Sequence, residues 1–133
     1  MRAVCDTHVL LFGALEPERL SSEAARALAA GAEVGQLVCA DISLWEIAML
    51  HSRGRLQMPT EVGLVELVSD ILASLRMHVL PITPRIAALS QEPRFSHGDP
   101  ADRLIAATAI AEGLPLITAD SRLLQVPGLR CIW

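Results

Sequence analysis

The sequence predicts an α/β fold in which a parallel sheet is covered by helices on both faces. Short apolar runs alternate with longer segments of helical periodicity along the chain. The runs are continuously apolar, as is typical of strands that are buried on both faces. With 133 residues, of which 52% are hydrophobic, the chain can close one core without disulfides or a structural metal. We therefore expect a single domain over residues 1–133.

Five strands and six helices are predicted. The strands are Ala3–Cys5, Leu37–Ala40, Val79–Ile82, Leu116–Thr118 and Leu129–Ile132. The helices are Thr7–Ala14, Ser22–Ala30, Ser43–Arg53, Val62–Leu75, Pro84–Ser90 and Pro100–Glu112. The second of these is alanine-rich and is expected to end at Gly31, and the last to end at Gly113, because glycine commonly stops a helix.

Several helices carry start signals. Asp6 and Asp120 can each cap a short helix that follows them. Ser43 and Glu46 have the spacing of a capping box. Asp99 precedes a proline and is expected to cap the last helix, with Asp102 close to the positive end of the helix dipole. Each of these acids therefore has a structural explanation when it is taken singly.

The composition limits the classes of function. Aromatic residues are only 3% of the chain and tyrosine is absent, which argues against a base-stacking surface. A net charge of -4 argues against a protein held to nucleic acid mainly by phosphate neutralisation. A nuclease stays open, because an acidic site becomes effectively cationic when it holds a divalent metal.

The cysteines and the hydropathy indicate a reducing compartment. Cys5, Cys39 and Cys131 are widely spaced and lie in apolar segments, so we expect buried free thiols rather than a disulfide framework or a zinc site. No stretch approaches membrane-spanning length. We therefore expect a cytoplasmic protein without membrane contact.

Carboxylates recur where strands end. Asp6, Asp41 and Asp120 follow predicted strands, and Glu46 lies in the first turns of a helix after the second strand. Asp99 and Asp102 begin the helix that leads into the fourth strand. In open parallel sheets, ligand sites gather at the carboxyl ends of the strands.

A shared cation explains this pattern better than capping alone. Serine, threonine or asparagine would serve equally well as caps. Carboxylates within about 4–6 Å repel one another unless a cation lies between them. Oxygen ligands without histidine are the donor set that Mg²⁺ or Mn²⁺ prefers. Of the other candidates, His97 is expected to be a loop histidine, and Trp45 and Phe12 are expected to belong to the core.

Four segments together resemble the PIN-domain family, specifically the VapC-type ribonuclease toxins of bacterial type II toxin–antitoxin systems. They are DTHVLLF at 6–12, SLWEIAML at 43–50, HGDPADRLIAATA at 97–109 and LPLITAD at 114–120. The resemblance implies an α/β/α sandwich with a parallel sheet of about five strands. It also implies metal-dependent hydrolysis of RNA by a metal-activated water, a cognate antitoxin protein as partner, and a homodimer.

The resemblance also implies the site residues. The four family acids correspond to Asp6, Glu46, Asp102 and Asp120, and the small hydroxyl residues that orient them correspond to Thr7 and Thr118. Because Mg²⁺ binds through few direct carboxylates, we expect Asp6 and Asp102 to be direct ligands of Mg²⁺ or Mn²⁺. Glu46 and Asp120 are then expected to act through water or a second ion.

Two further residues stand beside these positions. Asp99 is an extra acid next to Asp102 and is the less favoured candidate for the third ligand. Arg103 could contact an RNA phosphate or could form a surface salt bridge.

Two other functions stay open at this point. An enzyme that forms an aspartyl phosphate, as a phosphotransferase or a phosphatase, would also place an acid after a strand. Such enzymes usually need a lysine beside the phosphoryl group, and all eleven basic residues of this chain are arginine. A binding module that keeps the PIN fold without catalysis is the second alternative, and the presence of all four acids argues against it.

Overall fold

The computed structural model describes residues 2–58, 61–96 and 98–133. Within these ranges the chain forms five strands and six α-helices in the predicted order. The strands are β1 Ala3–Cys5, β2 Leu37–Ala40, β3 His78–Leu80, β4 Leu116–Ile117 and β5 Cys131–Ile132. The helices are α1 Thr7–Leu15, α2 Ser22–Val34, α3 Ile42–Ser52, α4 Leu64–Ser74, α5 Pro84–Leu89 and α6 Pro100–Glu112. Short 3₁₀ turns lie at Pro17–Arg19 and Leu123–Gln125.

The five strands form one parallel sheet in the order β3-β2-β1-β4-β5. The chain builds outwards from β1 to β3, then returns to the other side of β1 to add β4 and β5. Val4 pairs with Leu116, and Cys5 pairs with Ile117. The carboxyl ends of β1 and β4 therefore flank the topological switch point, where open α/β sheets place their ligand sites.

Two hydrophobic layers confirm the predicted α/β/α sandwich. Alternate residues of the central strands face opposite sides: Cys5 and Cys39 join one layer, and Val4 and Val38 join the other. The first layer contains buried residues of α1, α2, α3 and α4, and the second contains buried residues of α5 and α6. Burial on both faces explains why β1, β2 and β4 are continuously apolar.

The predicted end of α2 at Gly31 was wrong. The helix continues to Val34 and ends at Gly35, which adopts the left-handed conformation with φ +67°. Gly31 is buried inside the helix, and a Cβ at this position would lie 2.4 Å from Leu37 Cδ2. This glycine is thus explained by the close approach of α2 to β2 and not by helix termination.

Other predicted boundaries shift by a few residues. The strand β3 stops at Leu80 because the next residue, Pro81, has no N–H to donate to a sheet. The predicted stop at Gly113 is confirmed, with φ +66°. Cys5 and Cys39 are buried free thiols as expected, and Cys131 is a partly buried one. In the described ranges, no helix has the length and apolar character that a membrane span requires.

Candidate active site

Asp6 is fixed at the carboxyl end of β1. It is the N-cap of α1, and its Oδ1 accepts a 2.8 Å hydrogen bond from the Thr7 backbone N–H. Its Oδ2 accepts a 2.7 Å hydrogen bond from the Thr118 hydroxyl, beyond the end of β4. Asp6 is only 3% exposed. The cap explanation is therefore correct for this residue, but the cap also holds a buried carboxylate at the switch point.

His8, which the sequence does not mark as a site residue, lies beside Asp6. His8 Nε2 accepts a 2.9 Å hydrogen bond from the Ala119 backbone N–H, so this nitrogen carries a lone pair. His8 Nδ1 lies 3.6 Å from Asp6 Oδ2. The ring contacts Phe12 and Trp133. This histidine thus ties the start of α1 to the segment after β4.

Glu46 extends from α3 towards the start of α1. Its Oε1 lies 2.5 Å from Thr7 Oγ1, and Thr7 Oγ1 is also 2.9 Å from Ser43 Oγ. The expected capping box is absent: α3 begins at Ile42 after Asp41, and Ser43 is buried inside the helix. Ser43 and Glu46 face Thr7 because residues three apart lie on one side of a helix.

The surroundings of Glu46 oppose its ionisation. The pKa of Glu46 is raised from 4.5 to about 7, mainly by burial and also by the negative charges of Asp102, Asp6 and Asp99, while the hydrogen bond from Thr7 opposes the rise. A cation among these carboxylates would reverse the effect of the neighbouring charges.

Asp99 and Asp102 have different positions on α6. Asp99 is the N-cap, and its Oδ1 accepts hydrogen bonds of 2.9 and 3.3 Å from the backbone N–H groups of Ala101 and Asp102. Asp102 lies in the first helical turn, and its side chain is 14% exposed. Asp99 therefore caps the helix as expected, and Asp102 presents its carboxylate to Asp6 and Glu46.

Three of the predicted acids lie together. One carboxylate oxygen from each of Asp6, Glu46 and Asp102 lies within 4.8 Å of the other two. These acids come from three separate elements, namely the end of β1, α3 and α6. Among the residues that the structure describes, this is the acidic group with the spacing of a metal site, and Asp120 lies outside it.

Asp120 is joined to the site through other residues. Its backbone N–H donates a 3.0 Å hydrogen bond to Thr118 Oγ1, the hydroxyl that also contacts Asp6. The guanidinium of Arg122 contacts both oxygens of Asp120 at 3.1 Å and lies 3.8 Å from Asp102 Oδ2. Arg122 was not identified from the sequence; the signal that could have found it is its spacing of two residues from an acid at a strand end.

Two further candidates make hydrogen bonds with loop and strand-end residues. Arg103 Nη2 donates a 2.7 Å hydrogen bond to the Phe95 carbonyl, so its guanidinium holds the loop before α6. Asp41 Oδ2 accepts a 3.2 Å hydrogen bond from the Ile82 N–H, which links the ends of β2 and β3. The prediction for His97 lies outside the described residues.

An apolar groove borders the acids between α3 and α6. Its volume is about 470 Å³, and its lining residues are Ile42, Trp45, Glu46, Met49, Arg53, Asp99, Pro100, Ala101 and Leu104. The expectation that Trp45 belongs to the core was wrong, since the residue is 57% exposed on the side of α3 that faces this groove. Phe12 is half-buried and stacks under Arg19, with 4.2 Å between the guanidinium carbon and the ring centroid.

Comparisons with known proteins identify a family and relatives of this chain. The family model described as PIN domain matches residues 3–129. The chain is 40% identical over 121 residues to "Ribonuclease VapC22" of Mycobacterium tuberculosis, which covers 89% of this chain and 86% of that protein.

Solved structures show the same fold at lower identity. The chain resembles the structure of VapBC2 from Rickettsia felis bound to a DNA fragment from their promoter, with a TM-score of 0.75, 18% identity, and coverage of 98% of this chain and 97% of that chain. It also resembles a toxin–antitoxin complex from Klebsiella pneumoniae, with a TM-score of 0.62, 22% identity, and coverage of 96% and 94%. By its fold, its acidic cluster and these matches, the chain belongs to the PIN domain family, with a VapC-type ribonuclease among its relatives.

Proposed function

We propose that this protein is a metal-dependent endoribonuclease, the toxin component of a toxin–antitoxin pair. The observation that carries the proposal is the convergence of Asp6, Glu46 and Asp102 at the switch point of a PIN fold. The 40% identity to a protein named as a ribonuclease supports the substrate class. We also propose that residues 1–133 form one PIN domain and that the protein acts in the cytoplasm.

The three carboxylates fit a hard divalent cation. Mg²⁺–oxygen distances of about 2.1 Å separate coordinated oxygens by up to about 4.2 Å, so small side-chain adjustments would bring the three acids onto one ion. The donors are all carboxylate oxygens, which suits Mg²⁺ or Mn²⁺ better than zinc. Bound there, such an ion would act as a Lewis acid at the scissile phosphate and would make water a stronger nucleophile near neutral pH.

The residues of the chain hold this arrangement before any ion binds. Thr118 orients Asp6 from β4, and Thr7 orients Glu46 from the start of α1. The cap that Asp99 makes fixes the first turn of α6 and with it the direction of Asp102. Loss of a supporting hydrogen bond of this kind commonly lowers metal affinity or activity by about 10–100-fold.

The rival aspartyl-phosphate mechanism has less support. Asp6 is a candidate nucleophile because it follows the first strand, but it is buried, and both of its oxygens accept hydrogen bonds. The chain also lacks the lysine that such enzymes usually place beside the phosphoryl group. A Cys–His nucleophile is disfavoured as well, because burial raises the pKa of the Cys5 thiol far above its usual range.

The function is tested with purified protein that is free of any bound partner. We expect cleavage of single-stranded or looped RNA with Mg²⁺ or Mn²⁺, no cleavage with EDTA, and losses of orders of magnitude for Asp6→Ala and Asp102→Ala, since each removes an ion ligand. No acyl phosphate should form. A broad panel of RNAs that stays intact with both metals would instead favour the PIN-fold binding module.

We also propose a protein antitoxin as partner and a homodimer as the assembled form. The apolar groove beside Glu46 supports a protein partner, because an exposed tryptophan with neighbouring aliphatic side chains is typical of interface centres. The antitoxin is sought in a short upstream reading frame, and its product should inhibit cleavage. Trp45→Ala should weaken this inhibition at least about tenfold. The equally exposed Leu124→Ala, on the segment after β4, is the matched control.

A further inference from the structure

Arg122 pairs with Asp120 and reaches Asp102, one of the three acids of the cluster. Its Nε is 3.1 Å from Asp120 Oδ1 and its Nη2 is 3.1 Å from Asp120 Oδ2, so the guanidinium forms a two-pronged contact. The same Nη2 lies 3.8 Å from Asp102 Oδ2, at the edge of the group that could hold an ion. One guanidinium therefore connects Asp120 with the candidate ion site.

Asp120 is poorly suited to hold an ion while this contact exists. Its Oδ1 accepts a 3.0 Å hydrogen bond from the Arg122 backbone N–H in addition to the one from Nε. A carboxylate oxygen offers about two lone-pair sites, so both sites of Oδ1 are used by Arg122. A second divalent ion bound to Asp120 would lie beside the positive charge of this guanidinium and would be repelled by it.

One ion alone would leave the site negative. Asp6, Glu46, Asp102 and Asp120 carry four negative charges when all are ionised, and a divalent ion offsets two of them. A phosphodiester is an anion and would be repelled by the remainder. Arg122 brings a further positive charge to this place, and its side chain is 65% exposed. The contact with Asp120 engages Nε and Nη2, which leaves other N–H groups of the guanidinium to donate to a phosphate oxygen.

We propose that the site works with a single divalent ion and that Arg122 supplies the second positive charge, by contacting a non-bridging oxygen of the scissile phosphate. Asp120 then holds Arg122 in place and does not bind the ion. This inference rests on the proposed ribonuclease function and names the residue of that site which meets the substrate. Arginine suits the role because its planar donors match the oxygens of a phosphate.

The number of ions is measured by Mn²⁺ titration, with free Mn²⁺ followed by electron paramagnetic resonance. We expect one Mn²⁺ for the wild type and one for Asp120→Asn, and none for Asp6→Asn at the same concentrations. Two ions in the wild type, or loss of Mn²⁺ binding in Asp120→Asn, would overturn the inference.

The contact with RNA is measured on a substrate that the wild type cleaves. Arg122→Gln should lower kcat/KM at least about tenfold, and Arg122→Lys should recover part of the loss because it restores a charge without the planar donors. The slope of log kcat/KM against log salt should become shallower by about 0.7 in Arg122→Gln, since one phosphate contact is lost. The control is Arg19→Gln, because Arg19 is similarly exposed and pairs at 3.0 Å with Glu16, which is not one of the acids of the site.

The outcomes separate the two proposals. A wild type that cleaves RNA together with an Arg122→Gln variant that cleaves equally fast overturns the role of Arg122 alone. A wild type that cleaves no RNA overturns the ribonuclease function and this inference with it. An equal loss of activity in Arg19→Gln would show a general charge effect and would also overturn the contact.

Discussion

The Thr118 hydroxyl donates a 2.7 Å hydrogen bond to Asp6 Oδ2, although the two residues are 112 positions apart in the chain. Both residues are buried, at the neighbouring ends of β4 and β1. The oxygen of the same hydroxyl accepts the Asp120 N–H at 3.0 Å. A single threonine thus fixes the carboxylate at the end of β1 and the turn that carries Asp120.

Replacing Thr118 by valine should affect stability and metal binding together. Thr118→Val keeps the shape of the side chain but leaves the buried Asp6 with one partner fewer, so the free energy of unfolding should fall by about 1–3 kcal/mol. Metal affinity should fall by about 10–100-fold. Chemical denaturation and Mn²⁺ titration measure the two effects.

The matched control is Thr108→Val. Thr108 is also buried, but its hydroxyl donates to the Leu104 carbonyl within α6. This variant should leave metal affinity unchanged. Equal metal affinity in Thr118→Val and the wild type would show that Thr118 does not orient Asp6 for an ion.

The raised pKa of Glu46 predicts how the metal-free protein responds to pH. The pKa rises from 4.5 to about 7 on folding, so between these values the folded state binds more protons than the unfolded state. The stabilising contribution of protonated Glu46 is therefore complete below pH 4.5 and is lost as the pH rises through about 7. Thermal melts in EDTA between pH 5 and 8 should show this slope in the wild type and a smaller slope in Glu46→Gln.

Bound metal should reverse the direction in which stability changes with pH. Because an ion binds the ionised carboxylate, Mn²⁺ affinity should increase as the pH rises through about 7. Identical melting profiles for wild type and Glu46→Gln in EDTA would contradict the assignment of this pH dependence to Glu46.

Substitutions of Asp99 and Asp102 should distinguish helix capping from ion binding. Asp99→Ala removes the N-cap of α6 and should cost about 1 kcal/mol of stability while the stabilisation by Mn²⁺ persists. Asp102→Asn should abolish the stabilisation by Mn²⁺ and leave the metal-free protein as stable or more stable, because it removes a repelling charge. Differential scanning fluorimetry with and without Mn²⁺ measures both. The reverse pattern would exchange the roles of the two residues.

Gly31 should tolerate no side chain. Alanine normally stabilises a helix interior relative to glycine by up to about 1 kcal/mol, but a Cβ at Gly31 would lie 2.4 Å from Leu37 Cδ2 and 2.8 Å from Leu37 Cγ. Gly31→Ala should therefore destabilise the protein by about 1–3 kcal/mol. Adding Leu37→Ala should recover part of this loss, and additive losses in the double variant would refute the clash.

Local patterns predicted most of the fold. The strands β1 and β2 and the helix α6 were located to the residue, because their apolar composition and their caps are consequences of short sequence stretches. The acids at strand ends were found for the same reason. The end of α2 was predicted wrongly. A glycine can stop a helix or can allow another element to pack closely against it, and the position of Leu37 decides between these two roles for Gly31.

The sequence by itself determined the elements, their order, and the acids available at the carboxyl ends of the strands, since these follow from periodicity and spacing. Tertiary structure alone decided which of those acids meet. It brings carboxylate oxygens of Asp6, Glu46 and Asp102 within 4.8 Å of one another. The carboxylate of Asp120 instead pairs with the guanidinium of Arg122. It also turns Ser43 from a cap into a neighbour of Thr7 and leaves Trp45 exposed beside the site. These outcomes depend on how the helices pack across the sheet. The separation of two residues along the chain does not indicate how far apart their side chains lie when they belong to different elements.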